Sequence, residues 1–431
     1  MAWLCALAAI WVVLEPSRRR GEPAHVARQR VAQSIVRDPV FWFSAALVLF
    51  AGLRALNTGV DMVYDAEKAV WSISAPFCEA FPGCAGDAGT LPFATALAVF
   101  VLLAGARHSL GKSARASFLL VFSSLAAAAA VAHSFFLLIL PSSPSAHVMC
   151  DYASPEFAGM AFGIGLLCAV VALFSTVENG WVKAEPVALF ALAGNELGLV
   201  VFAPVATIAV FAAAFLLLLV ASFATVGRSF GGSGSFRCAV AVLASLFVPV
   251  LFALAAASPS PVAAKVAAIS EMRLFPEGFA EARAALSDIA LKVWKSGPWL
   301  GTGLGSFPFD LRFLASNEAW AVVSPMQTAP MQGWWLLLAE RGVVGATLAA
   351  VLAGFLAWTY FRRLVVGFRG RSWRPLHFLA PVAAAAVVAA TFAECSFLRA
   401  DAVLAALAAV AISTSAFKAH AATADLESKD G

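Results

Sequence analysis

Residues 204–226, PVATIAVFAAAFLLLLVASFATV, run for twenty-three positions without a charged side chain. A helix that is apolar all round has to be surrounded by a large core or by lipid. About 20 such residues cross the hydrocarbon of a bilayer. The pattern recurs along the chain. Candidate spans fall near 2–14, 40–56, 91–105, 117–140, 157–175, 187–203, 204–226, 238–257, 343–361, 378–394 and 402–418. The runs are continuous, whereas a β-barrel alternates with period two. Composition agrees, with 61% hydrophobic and 13% charged residues against about 25% charged in a soluble domain. The expected fold is an all-α polytopic membrane protein with about 11 (10–12) transmembrane helices.

Charge placement predicts sidedness, because Lys and Arg concentrate in cytoplasmic connections. One set of alternate connections holds Arg18, Arg19, Arg20, Arg28, Arg30 and Arg37, then Arg107, Lys112 and Arg115, then Arg228 and Arg237, then Arg362, Arg363, Arg369, Arg371 and Arg374. The opposite short connections hold only Lys68 and Arg399. The basic set is read as cytoplasmic. Residues 1–257 are then N-terminal spans with an external loop at 57–90, 258–342 is a large external loop, 343–418 holds the last spans, and 419–431 is a polar, disordered cytoplasmic tail. The first run carries its positive charges after it, which argues for a span with an outside N-terminus, or a truncated one, against a signal peptide. The basic loop 367–375 should meet anionic headgroups, so membrane lipids are expected partners. No nucleic-acid partner is expected. Cys78 and Cys84 fall in one external loop, as either a disulfide or two thiols. The seven cysteines form no metal pattern, and no metal or cofactor is expected.

Chemistry is sought in the large external loop. Its central stretch is EARAALSDIALKVWKSGPWLGTGLGSF, residues 281–307. At 100° per residue, Phe279, Leu286, Ala290 and Val293 share a stripe, while Glu277, Glu281, Asp288, Lys292 and Lys295 gather on the opposite face within roughly 60°. Arg283 lies roughly 40° from Phe279, on the apolar side. A guanidinium there either joins a structural ion pair, snorkels along the interface, or holds a phosphate that it grips bidentately. Gly301, Gly303 and Gly305 follow. They match neither a Walker A loop nor a dinucleotide fingerprint, and by themselves describe a compact turn. Within the spans, Asn195 and Glu196 interrupt an apolar run. They line a headgroup cavity, or Glu196 pairs with Arg54, or they mark a short external turn; an ionisable residue at that depth is a functional candidate. Arg54, near the outer end of its span, either snorkels or joins the headgroup region.

Arg283, Pro298 fifteen residues on, and then GTGLGSF resemble the periplasmic-loop signature of the O-antigen ligase and O-antigen polymerase superfamily. MQGWWLLLAERGVVG, with Glu340, Gly342 and Gly345, resembles that family's downstream Glu-x-Gly-x-x-Gly pattern. The motifs cover about 281–345, and the multi-span architecture covers most of the chain. The resemblance implies a bacterial inner-membrane glycosyltransferase of the GT-C type, independent of metal. It implies a donor glycan on polyprenyl diphosphate, and lipid A-core or another glycan as acceptor. By the same resemblance Arg283 neutralises the diphosphate, the three glycines let the loop close on it, and Glu340 is either a catalytic candidate or an anchor of the loop against a helix end. Arg312, Arg54 and Glu196 are secondary candidates for substrate binding, and Arg273, Lys292 and Lys295 weaker ones. Two positions depart from the family. Its His-Asn pair is replaced by Met331 and Gln332, and its mid-chain Ser-Arg pair by Ala203 and Pro204. A base other than histidine would then be Glu318, Asp310 or Glu340, with His147 in a short external loop and His133 predicted as a packed or interhelical hydrogen-bonding mid-span residue. A non-catalytic relative that scaffolds polysaccharide assembly is the alternative. A transporter is the third reading, against which stands the absence of an internal repeat.

Overall fold

A computed structural model describes residues 23–59, 62–65, 70–73, 84–85, 97, 100–101, 112–139, 155–226, 238–243, 245–246, 279–303, 306–316, 333–370 and 375–394. The described chain is predominantly helical. Helix α1 (Ala24–Val36) stops where Asp38 and Pro39 begin α2 (Pro39–Leu56). Asp38 Oδ1 accepts from Val40 N at 3.2 Å, and Pro39 occupies the first turn, where its missing N–H costs nothing.

The segment after α2 holds four short strands: β1 (Thr58–Gly59), β2 (Met62–Asp65), β3 (Val70–Ile73) and β4 (Cys84–Ala85). β2 and β3 are antiparallel, pairing Met62 with Ile73 and Asp65 with Val70, and β1 is parallel to β4. These strands replace the plain loop expected at 57–90. MVYD and VWSI are rich in β-branched and aromatic residues, which suit a pleated ribbon.

The bundle continues with α3 (Lys112–Ile139), α4 (Pro155–Glu178), α5 (Glu185–Phe202) and α6 (Val205–Val226). After α6 come α7 (Phe279–Ser296), α8 (Phe307–Leu314), α9 (Gly333–Gly370) and α10 (Pro375–Glu394). Six helical stretches among the described residues are long and apolar enough to cross a membrane: 39–56, 115–134, 159–178, 182–202, 205–224 and 337–359. A shorter apolar helix lies at 376–390. The expected spans 2–14 and 402–418 lie outside the described residues, as does most of 91–105 and of 238–257.

Helix α4 is the centre. Its residues from Ile164 to Phe174 are almost all fully buried, which is why an apolar sequence without an amphipathic face forms it. It packs against α3, α5, α6 and α10. Gly159 of α4 faces Ala203, and Gly165 faces Asn195, so α5 runs antiparallel to α4. The bend at Ala203–Pro204 then sends α6 along a different side of α4, where Gly163 faces Phe211. The continuous apolar stretch 187–226 is thus two antiparallel helices, each long and apolar enough to cross a membrane. A Cβ on Gly194 or Gly198 would lie 2.6 Å from the Cβ of Ala127 or Ala130 on α3, so the small residues four apart set the approach of α5 and α3. Helix α10 joins this core to a second one. Leu379, Ala383 and Ala386 belong to the α4 side, while Ala380 packs with Val40, Leu352 and Leu356 of α2 and α9.

Candidate functional site

The two glycine-bearing segments meet. Helix α7 buries Ala282, Leu286, Ile289, Ala290 and Val293 against Phe307 of α8 and Ala339 of α9. Its outer face carries Asp288 and Lys292, paired at 2.8 Å and both more than half exposed, which adds little stability. The buried stripe is displaced from the expected one, so Arg283 sits roughly 75° from its centre at 100° per residue. It is half-buried on the shoulder of the helix, not aimed at the apolar contact. Among the described residues no partner for its guanidinium is found.

The chain leaves α7 through Gly297 and Pro298 and turns at Gly301 (φ +74°) and Gly303 (φ +126°). Helix α9 breaks at Gly342, with φ +64° and ψ −172°. Such a break strands the last carbonyls of one half and the first N–H groups of the next. The glycine loop satisfies both. Thr302 N donates to Ala339 O at 2.9 Å and Gly303 N to Glu340 O at 3.3 Å. Val343 N donates to Pro298 O at 2.9 Å and Val344 N to Trp299 O at 3.1 Å. Side chains would prevent this approach. A Cβ on Gly301 would lie 2.4 Å from the Glu340 carbonyl carbon, and one on Gly342 would lie 2.3 Å from Trp299 O.

Arg54 completes the junction from α2. It is fully buried, which overturns the snorkelling alternative. Its Nη1 donates to the carbonyl oxygen of Glu340, and its guanidinium carbon stands 4.8 Å from the centre of the Phe50 ring. The same ring faces Gly345, on which a Cβ would lie 3.1 Å from Phe50 Cε1. Glu340 therefore anchors the loop through its backbone carbonyl, and its side chain is buried.

Beneath the turn lies a polar cluster. Thr302 Oγ1 is 2.7 Å from Ser306 Oγ, 3.4 Å from Asp310 Oδ2 and 3.3 Å from Ala339 O. Asp310 is 1% exposed. Burial pushes its carboxyl up to about 6, an effect that the Ser306 and Thr302 hydroxyls only partly offset. A carboxylate poised near neutrality can exchange a proton under ordinary conditions. Thr302, Ser306 and Asp310 recur every fourth residue, a spacing that was the available signal for their grouping. Helix α8 also lies against β3.

Glu196 stands apart from this junction. Its Oε1 accepts from Ser245 Oγ at 3.1 Å, and Oε2 has no partner among the described residues. Its neighbour Asn195 donates from Nδ2 to Ser123 O at 2.8 Å and to Ala191 O at 2.6 Å. The pair lies within α5, not in a turn, and the alternative in which Glu196 pairs with Arg54 is not realised. His133 is a packed residue, as expected: its Nδ1 is 2.7 Å from Ala129 O and its ring meets Phe202 edge-on. Arg312 belongs to α8. Gly305, Met331, Gln332, Glu318, Arg273, His147 and Cys78 lie outside the described residues. Among the described residues no three His, Cys, Asp or Glu side chains group as metal ligands.

No family model matches this chain, and no curated protein matches it.

Proposed function

We propose that this protein transfers a glycan from polyprenyl diphosphate to a lipid or glycan acceptor at the outer face of the inner membrane, in the manner of O-antigen ligases and polymerases. One observation carries the reading. Pro298–Gly303 and Ala339–Val344, the two motif segments of the resemblance, form one unit bonded through their backbones. Helix α7, which bears Arg283, packs against the same broken helix. In this reading the acceptor hydroxyl attacks the anomeric carbon of the donor sugar. The bond from that carbon to the diphosphate oxygen breaks, and polyprenyl diphosphate leaves. Arg283, half-buried and without a partner among the described residues, neutralises the diphosphate as charge develops on it. Asp310 receives the acceptor proton through the Thr302 hydroxyl beside it.

The test is glycan transfer by purified protein from polyprenyl-diphosphate donors, with several acceptors and a chelator present. Transfer that survives the chelator and is lost in a folded Arg283→Ala variant is the expected result. Transfer unaffected by Arg283→Ala would overturn the assigned role of the arginine. The non-catalytic scaffold is favoured by Met331 at the family's histidine position. It requires that native lipid extract supports no transfer at all.

A further inference from the structure

We infer that Trp299 is a membrane-interface anchor, seated between the headgroups and acyl chains of one leaflet and holding the glycine loop at that depth. The inference is independent of the proposed reaction. Trp299 is 70% exposed, which is unusual for an indole in a loop bonded on both sides. Its depth follows from its backbone. Its carbonyl accepts from Val344 N at 3.1 Å, and that of Pro298 accepts from Val343 N at 2.9 Å. Val343 and Val344 begin the second half of α9, immediately after the break at Gly342.

The break at Gly342 divides the apolar stretch 337–359, and the half that follows it is bounded by cations. Arg341 precedes it, and Arg362 and Arg363 follow the apolar run 343–361. At 1.5 Å per residue the run is roughly 28 Å long, close to the hydrocarbon thickness of about 30 Å. Its first residues therefore lie at the upper boundary of the hydrocarbon, and Trp299 is bonded beside them. Val344 is itself exposed on the bundle surface, so the neighbouring surface is one that lipid covers. Lys295, exposed one turn earlier on α7, supplies a cation at headgroup level. An indole prefers this zone because its ring is apolar while its N–H still reaches water and ester oxygens. Neighbouring Trp294 serves a different purpose, since its Nε1 donates to Pro298 O at 3.2 Å inside the loop.

The experiment uses full-length protein in lipid vesicles. The chain has 12 tryptophans, so the signal of Trp299 is taken as the difference between wild type and Trp299→Phe, with Trp299→Tyr as the second variant if the first does not fold. Vesicles carry lipids brominated at the headgroup end or the methyl end of the acyl chain, and iodide probes the water phase. The expected difference signal loses about half its intensity to headgroup-end bromine, and less to methyl-end bromine or to iodide. Quenching by iodide alone would overturn the inference by placing the ring in water. Insensitivity to every quencher would also overturn it, by placing the ring under protein or a second copy of the chain.

Discussion

Arg54 shows how one side chain can serve a backbone. A buried guanidinium donates to the carbonyl of Glu340, which also receives Gly303 N. Arg54→Met keeps the apolar stem and removes the donor. It is expected to destabilise the junction by about 1–3 kcal/mol, read as faster hydrogen exchange at the amides of Thr302, Gly303, Val343 and Val344. Asp310 carries a pH dependence of definite sign. Its folded-state value of about 6 lies above the ordinary 3.8, so the fold favours the protonated form. That stabilisation is complete below about pH 4 and is lost as the pH rises through about 6, on the order of 3 kcal/mol in all. Thermal unfolding of wild type should show this decline. Asp310→Asn should flatten it and be the more stable protein at neutral pH, while losing transfer if Asp310 takes the acceptor proton.

At the level of elements, the glycines decide what can touch. Gly342 combines a left-handed φ with a Cβ position 2.3 Å from Trp299 O. Gly342→Ala is expected to cost at least about 1–2 kcal/mol from the backbone conformation alone, and more from the displaced loop. A lowered melting temperature together with new proteolytic cutting between Gly297 and Ser306 would report both effects. In the bundle, Gly198→Val drives a side chain into Ala130 and Phe162. It should separate α5 from α3 and weaken the bond from Asn195 to Ser123 O, seen as a lower melting temperature in detergent with transfer lost only in proportion to unfolding. The strands at 62–65 and 70–73 were not anticipated from the sequence, because their β-branched and aromatic residues sit inside a segment dominated by turn residues.

Across the whole molecule, the asymmetry of basic residues makes a sidedness prediction. A cysteine placed at Glu318 should react with an impermeant reagent added from outside the cell membrane. One placed at Ser428 should react only after permeabilisation. Both are read above the background of the seven native cysteines, of which Cys168 and Cys238 are buried. Labelling of both sites from one side would overturn the expected arrangement of loop and tail.

Run length and composition were sufficient to determine that this chain is built of apolar helices suited to a membrane, because the requirement to satisfy every backbone group in lipid acts locally, one span at a time. The same local signals located the charged amphipathic helix, the glycine turn and the intramembrane Asn195–Glu196 pair. Only the tertiary structure decided which of them meet. Gly301 and Gly342 are about forty residues apart in the sequence, yet each is required by the other's backbone, since a broken helix needs hydrogen-bond partners that its own segment cannot supply. Arg54 looked like a span-end cation and is instead enclosed by α2 and α9. Arg283 moved to a helix shoulder because Ala282 and Ile289 joined the buried stripe, a choice made by the surfaces of α8 and α9 and not by the helix itself.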